Sequence, residues 1–160
     1  MNKINVLFVC MGNLCRSPTA QAVFTHWVAE AGLAQQIVID SAGTRVSHVG
    51  DPPDERAKRA AAKRGYDMRR IRTRAVQKTD FERFHYLLAM DDKNMSVLAQ
   101  DCPDDHLTKL ALLMSYATAG SGISVPDPYY GGAHGFERVL DMVEDAAQGL
   151  LRHIRKQHFL

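Results

Sequence analysis

Cysteine is scarce in this sequence: three residues in 160, an odd number, with no Cys-x-x-Cys pair and no histidine pair at zinc spacing. That count fits neither a disulfide framework nor a structural metal site, and a reducing, cytoplasmic compartment is expected. Long apolar runs are missing too. The first one, Ile4 to Cys10, is too brief for a signal-peptide core or a membrane span, so no membrane association is expected. Glycine and proline are limited to 11 and 6 residues, against 46% hydrophobic and 24% charged, which excludes disordered, collagen-like and low-complexity chains. Neither charge sign dominates. The net formal charge is +2, so the chain as a whole is not a polyanion binder. What remains is a soluble packed fold of one ordinary domain, residues 1–160, long enough to need no staple.

Ile4 to Val9 is a nearly unbroken apolar run, the pattern of a strand buried on both faces as in a parallel sheet. After a turn over 10–16, Ser17 reads as a helix N-cap with Pro18 at the first helical position. Ala20, Val23, Phe24, Trp27, Val28 and Ala31 then recur at helical spacing as far as Gly32. Ile37–Ile39 reads as a second strand, 41–53 as a loop, and about 54–64 as a helix stopped by Gly65. A strand at Tyr86–Met90, a short helix at Asp91–Leu98 and a strand at Leu110–Met114 follow. A Gly/Ser/Pro-rich stretch over 117–135 leads into a last helix from about Phe136, with an apolar face from Val139 through Leu140, Val143, Ala146, Ala147, Leu150 and Leu151 to Ile154. Strands alternating with helices predict an α/β single domain: a central four-stranded parallel twisted sheet with helices on both faces and a functional crevice beyond the C-terminal strand ends.

The first strand opens into Cys10-Met11-Gly12-Asn13-Leu14-Cys15-Arg16, a Cys-x5-Arg spacing that alone is weak evidence. Its setting makes it informative. A buried strand, a short loop with Gly12 free to take unusual backbone angles, and a helix start turn the backbone N–H groups of Met11, Gly12, Asn13, Leu14, Cys15 and Arg16 toward one spot, which is an anion cradle. In such a cradle Cys10 is stabilised as thiolate and nucleophilic at neutral pH. Arg16 adds a planar fork that can hold two phosphoryl oxygens at once, which lysine cannot do as well.

The run Val-Cys-x-Gly-Asn-x-Cys-Arg-Ser-Pro at 9–18 resembles the phosphate loop of the low-molecular-weight protein tyrosine phosphatases. So do, in order and spacing, Ser41-Ala42-Gly43-Thr44, His48-Val49-Gly50, Pro53-Asp54-x-Arg56, Ala89-Met90-Asp91-x-x-Asn94 and Val125-Pro126-Asp127-Pro128-Tyr129-Tyr130-Gly131. The resemblance implies a protein-tyrosine phosphatase without cofactor or metal. In it Cys10 attacks phosphorus, Arg16 binds the phosphoryl group, and Asp127 protonates the leaving phenolate and later accepts a proton from water. It further implies that Asn13, Ser17, Ser41 and Asp91 support the loop, and that Cys15 captures an oxidised Cys10 as a reversible disulfide. Tyr129 would line the mouth of a pocket too deep for phosphoserine, with Tyr130 beside it. Ser47 stands where the family commonly has an aromatic pocket wall, and Ile71 where relatives often have histidine. The implied partners are phosphotyrosine proteins and a cognate tyrosine kinase, with no nucleic acid, for a monomer or weak homodimer.

Two other functions match parts of the sequence. Arsenate reduction on the same scaffold needs further cysteines in the later half, where only Cys102 lies. A phosphate- or nucleic-acid-binding module would rest on the nine basic residues between Arg56 and Arg74, which are set against one acid, Asp67. That run reads as a solvated face, a docking surface for acidic phosphoprotein segments or a nucleic-acid patch, and the near absence of interleaved aromatics counts against the last. Asp54 and Arg56 are expected to brace the start of the 54–64 helix.

Overall fold

A computed structural model describes residues 2–118 and 123–160; the side chains of Tyr130 and Ala133, and part of the 117–135 stretch, lie outside that description. Strands β1 (Ile4–Cys10), β2 (Ile37–Gly43), β3 (Tyr86–Ala89) and β4 (Leu110–Leu112) form a parallel sheet in the order β2-β1-β3-β4. Helices α1 (Arg16–Glu30), α2 (Glu55–Lys63), α3 (Lys78–Arg83), α4 (Asp92–Asp101) and α5 (Ala133–His158) surround it.

The apolar run of β1 is explained by its neighbours. Val6 and Phe8 pack into a core with α1 and α5, including Phe24, Leu140, Val143 and Leu150, while Leu7 and Val9 enter a second core on the other face with Phe81, Phe84, Leu87 and Leu98. A strand with apolar cover on both faces has no polar alternation to show. β1 is also the point where the strand order reverses, with β2 on one side and β3 on the other. In open α/β sheets that switch point leaves a crevice beyond the strand C-termini, and here it receives the segments after Cys10, Gly43 and Ala89.

Several boundaries differ from the sequence reading. β2 continues through Ser41, Ala42 and Gly43, which composition assigned to a loop, because this small, polar stretch pairs in register with Phe8, Val9 and Cys10. α3 was not foreseen. It is six residues long, and the carboxylate of the buried Asp80 accepts from the Gln77 N–H at 2.8 Å. The strand expected to run to Met114 ends at Leu112 and becomes a 3-10 turn over Leu113–Tyr116. α5 begins three residues before Phe136 and buries the expected apolar face.

Gly149, inside α5, has a packing role. A Cβ there would lie 1.8 Å from the Tyr116 carbonyl oxygen, so the helix and the turn touch through backbone. Helix propensity alone predicts that Gly149→Ala stabilises by about 1 kcal/mol. The enforced separation outweighs it, and a net loss of about 2 kcal/mol, read from the urea midpoint, is expected. A midpoint at or above that of the wild type would show that α5 can shift away freely.

Candidate active site

Cys10 is the last residue of β1 and is buried, at 3% exposure. The Asn13 N–H donates to Cys10 Sγ at 3.2 Å, and Ser17 Oγ lies 3.0 Å from the same sulfur. Asn13 holds the loop. It is the residue with a left-handed backbone (φ 57°), not Gly12 as expected, and three hydrogen bonds offset that strain. Its Nδ2 donates to Ser17 Oγ (2.8 Å) and Ser41 Oγ (3.0 Å), and its Oδ1 accepts from the Arg74 N–H (3.0 Å). Ser41 in turn donates to Gln21 Oε1 at 2.6 Å. A residue without a side chain could reach left-handed angles at no cost, but it could not tie β1, α1, β2 and residue 74 together.

The loop carbonyls point outward. Those of Cys10, Met11 and Leu14 accept from the N–H groups of Thr44, Arg45 and Asp54 at 2.8–2.9 Å. In a trans peptide the next N–H points the opposite way, so the N–H groups of Met11, Gly12 and Cys15 point away from those partners. With its amide turned to donate to Asp91 Oδ1 (2.9 Å), Asn94 accepts from the Met11 N–H (3.2 Å). Gly43 makes the close fit possible: a Cβ there would lie 2.6 Å from the Met11 carbonyl oxygen and 3.1 Å from the Asn13 nitrogen.

Ser17 is not the helix cap. α1 starts at Arg16 with Cys15 in the cap position and no side-chain capping bond, because the Ser17 hydroxyl is engaged with Cys10 and Asn13. Arg16 is buried at 6% exposure, and its Nη1 donates to Asp91 Oδ2 (2.6 Å) and the Val125 carbonyl (3.1 Å). Asp91 is itself fixed as the cap of α4, accepting from the Asn94 N–H at 2.8 Å. Among the described residues no acceptor engages Arg16 Nε or Nη2, so half of the guanidinium is available to a ligand.

A cavity of about 270 Å³ opens above Cys10, lined by Met11, Gly12, Leu14, Cys15, Arg16, Asp54, Asp127 and Tyr129. Burial pushes the Cys15 thiol up to about 12, and Asp54, Cys10 and Asp127 add to it, so Cys15 stays a neutral thiol at physiological pH. Asp54 is also partly buried, which raises its carboxyl, but hydrogen bonds from Arg56 outweigh that and hold it below the ordinary carboxylate value. Asp127 begins a 3-10 turn and accepts from the Tyr129 N–H at 3.0 Å. The sequence pattern of the family described as low molecular weight phosphotyrosine protein phosphatase matches residues 5–159.

The chain belongs to the low molecular weight phosphotyrosine protein phosphatase family. It is 43% identical over 155 residues to a low molecular weight protein-tyrosine-phosphatase of Streptomyces coelicolor, covering 95% of this chain and 94% of that one. A crystal structure of a protein tyrosine phosphatase from Entamoeba histolytica, with Hepes in the active site, superposes with a TM-score of 0.94 at 38% identity, covering 98% and 99% of the two chains. The crystal structure of YfkJ from Bacillus subtilis gives a TM-score of 0.93 at 35% identity, covering 98% of each chain.

In this phosphatase Cys10, Met11, Gly12, Leu14, Cys15 and Arg16 line one cavity with Asp127 and Tyr129, while Asn13, Ser17, Ser41 and Asp91 lie behind it. Two of the N–H groups expected in the cradle are engaged elsewhere, that of Met11 by Asn94 and that of Asn13 by Cys10 Sγ. Ser47 is exposed and does not line that cavity; the segment after it is pinned elsewhere, with the His48 carbonyl accepting from Thr73 Oγ1 and the Gly50 N–H donating to the Thr73 carbonyl at 2.8 Å. The side chain of Tyr130, expected beside Tyr129, falls outside the described residues. Asp54 was foreseen only as a brace of α2, where it does accept from Arg56 and Ala57 N–H; it is also a cavity wall. Gln21 and Arg74 were missed as loop supports. Arg74 belongs to the basic run, yet its guanidinium is occupied by Asp40 and Asp80, and Arg64 by Glu137, Asp141 and Glu144. The run is therefore partly structural and not one solvated face. No helix among the described residues is long and apolar enough to cross a membrane.

Proposed function

We propose that this phosphatase hydrolyses phosphotyrosine through a cysteinyl-phosphate on Cys10. The observation that carries the reading is the placement of Cys10 Sγ, 3.2 Å from the Asn13 N–H and 3.0 Å from Ser17 Oγ, at the floor of a cavity shared with Arg16 and Asp127. The Cys10 thiolate attacks phosphorus; the phosphorus–oxygen bond to the phenol breaks as Asp127 gives that oxygen its proton. Asp127, now a carboxylate, takes a proton from a water that attacks the cysteinyl-phosphate, releasing inorganic phosphate and restoring the thiolate. Arg16 Nε and Nη2, with the inward amides, hold the equatorial oxygens throughout. Of the two loop cysteines, Cys15 is held as a neutral thiol and is the poorer nucleophile toward phosphorus. As the resemblance implies, it would instead condense with Cys10 already oxidised to the sulfenic acid, forming the S–S bond and releasing water. The substrates are phosphotyrosine proteins made by an opposing tyrosine kinase, met by residues 1–160 as a monomer or weak homodimer in the cytoplasm.

Asp127→Ala tests the acid. The turnover number on a phosphotyrosine peptide, whose leaving group needs the proton, should fall about 100-fold, but on p-nitrophenyl phosphate less than about tenfold. Equal losses on both substrates would leave Asp127 only a turn residue.

A further inference from the structure

Beside the phosphate cavity runs a second groove of about 430 Å³, lined by Arg56, Arg59, Lys63, Phe136 and Glu137. Arg56 is the partition between the two. Its guanidinium lies 5.1 Å from the ring centre of Tyr129, at the cavity mouth, and 4.9 Å from that of Phe136, in the groove. Arg56, Arg59 and Lys63 are spaced to share one exposed face of α2, whose opposite face buries Ala57 and Ala61.

The charges on this face are not cancelled. Arg56 is engaged by Asp54, but among the described residues neither Arg59 nor Lys63 forms an ion pair. Glu137, the acid in the groove wall, is taken by Arg64 at 2.5 Å. The groove thus presents beside Phe136 two cations outside any ion pair, Arg59 donating only its Nε to the Glu55 carbonyl at 3.4 Å, and it meets the mouth of the phosphate cavity at Arg56 and Tyr129. We propose that this groove is a subsite for a carboxylate side chain of the substrate, close in sequence to the phosphotyrosine. The proposal rests on the phosphatase reading and adds a substrate preference to it.

Reach is compatible. Arg59 lies about 4.5 Å and Lys63 about 10.5 Å along the helix from Arg56, and an extended peptide advances about 3.3 Å per residue. Glutamates two to four residues from the phosphotyrosine therefore fall over these cations. The residual negative charge of such a peptide also favours encounter with this face at low ionic strength.

The test uses three phosphotyrosine peptides of equal length, flanked on both sides by Glu, Gln or Lys, with p-nitrophenyl phosphate as a substrate too small to enter the groove. For the wild type at low salt, kcat/KM on the Glu peptide should exceed that on the Lys peptide about tenfold. The double variant Arg59→Gln, Lys63→Gln should level the three peptides, and Arg59→Glu, Lys63→Glu should reverse their order. All variants should keep the wild-type rate on p-nitrophenyl phosphate, which also reports that they are folded. Equal wild-type rates on the three peptides with that rate intact, the result expected if the groove serves a separate acidic protein or a nucleic acid, would overturn the subsite alone. A preference that survives charge reversal would overturn it too. A wild-type protein inert on every one of these substrates would overturn the phosphatase reading, and the subsite with it.

Discussion

Cys10→Ser protein should show no measurable turnover of p-nitrophenyl phosphate, a drop on the order of 10⁴ or more in kcat, while still binding phosphate within about fivefold of wild-type affinity. A serine hydroxyl placed at Sγ inherits the Asn13 N–H and the Ser17 hydroxyl, two groups that stabilise a thiolate. It inherits no base: neither neighbour can remove an alcohol proton, and an alkoxide lies far above a thiolate in proton affinity. The anion cradle is untouched, because the loop is held by Asn13, Gly43 and the outward carbonyls and not by the sulfur. Binding and chemistry should therefore separate. Isothermal titration with phosphate alongside steady-state kinetics checks both halves, and a serine variant that hydrolyses at the wild-type rate would remove Cys10 from the mechanism.

The second large effect is expected at Arg16. Arg16→Lys keeps the charge and should still lose on the order of 10³ in kcat/KM on a phosphotyrosine peptide. The guanidinium has two sets of nitrogens: Nη1 is anchored to Asp91 and the Val125 carbonyl, and Nε and Nη2, unengaged among the described residues, are the ones we propose for the phosphoryl oxygens. A single ammonium can serve the anchor or the anion but not both, and it has no planar fork for two oxygens. Losses should appear in kcat as well as KM, since the fork also meets charge that develops in the transition state. Asp91→Asn preserves an acceptor for Nη1 and should cost about tenfold, much less than the lysine change. A lysine variant within threefold of wild type would mean that the amides alone bind the phosphoryl group.

These expectations draw on features of different legibility. The Cys-x5-Arg loop was readable because its cysteine, glycine and arginine lie within seven residues, and the buried strand before it announces itself by an apolar run. Of the two expectations for Ser17, the loop support implied by the resemblance agrees with its bonds to Cys10 and Asn13, and the helix cap does not, for an equally local reason. Serine before proline at a helix start favours a cap, but the hydroxyl's competing partners, Cys10 and Asn13, become available only once the loop has closed. Gly12 drew attention as the permissive residue, and yet the left-handed position went to Asn13, whose amide gains three bonds there. Ser47 shows the limit of transferring a position by motif: its neighbours are tied to Thr73, outside the cavity.

Periodicity along the chain was sufficient for the alternation of the main strands and helices, the buried first strand and the long last helix, and residue spacing for the Cys-x5-Arg loop between strand and helix, since each is a matter of neighbours a few residues apart. It could not supply Asp91 behind Arg16 across 75 residues, Arg74 behind Asn13 across 61, or the basic groove beside Tyr129. Those pairings depend on strand order and on how helices seat against the sheet, where charge and hydrogen-bond satisfaction among distant groups select one arrangement. An arginine that is solvent-facing by composition becomes a buried support or an open cation according to which carboxylate the folded chain places next to it.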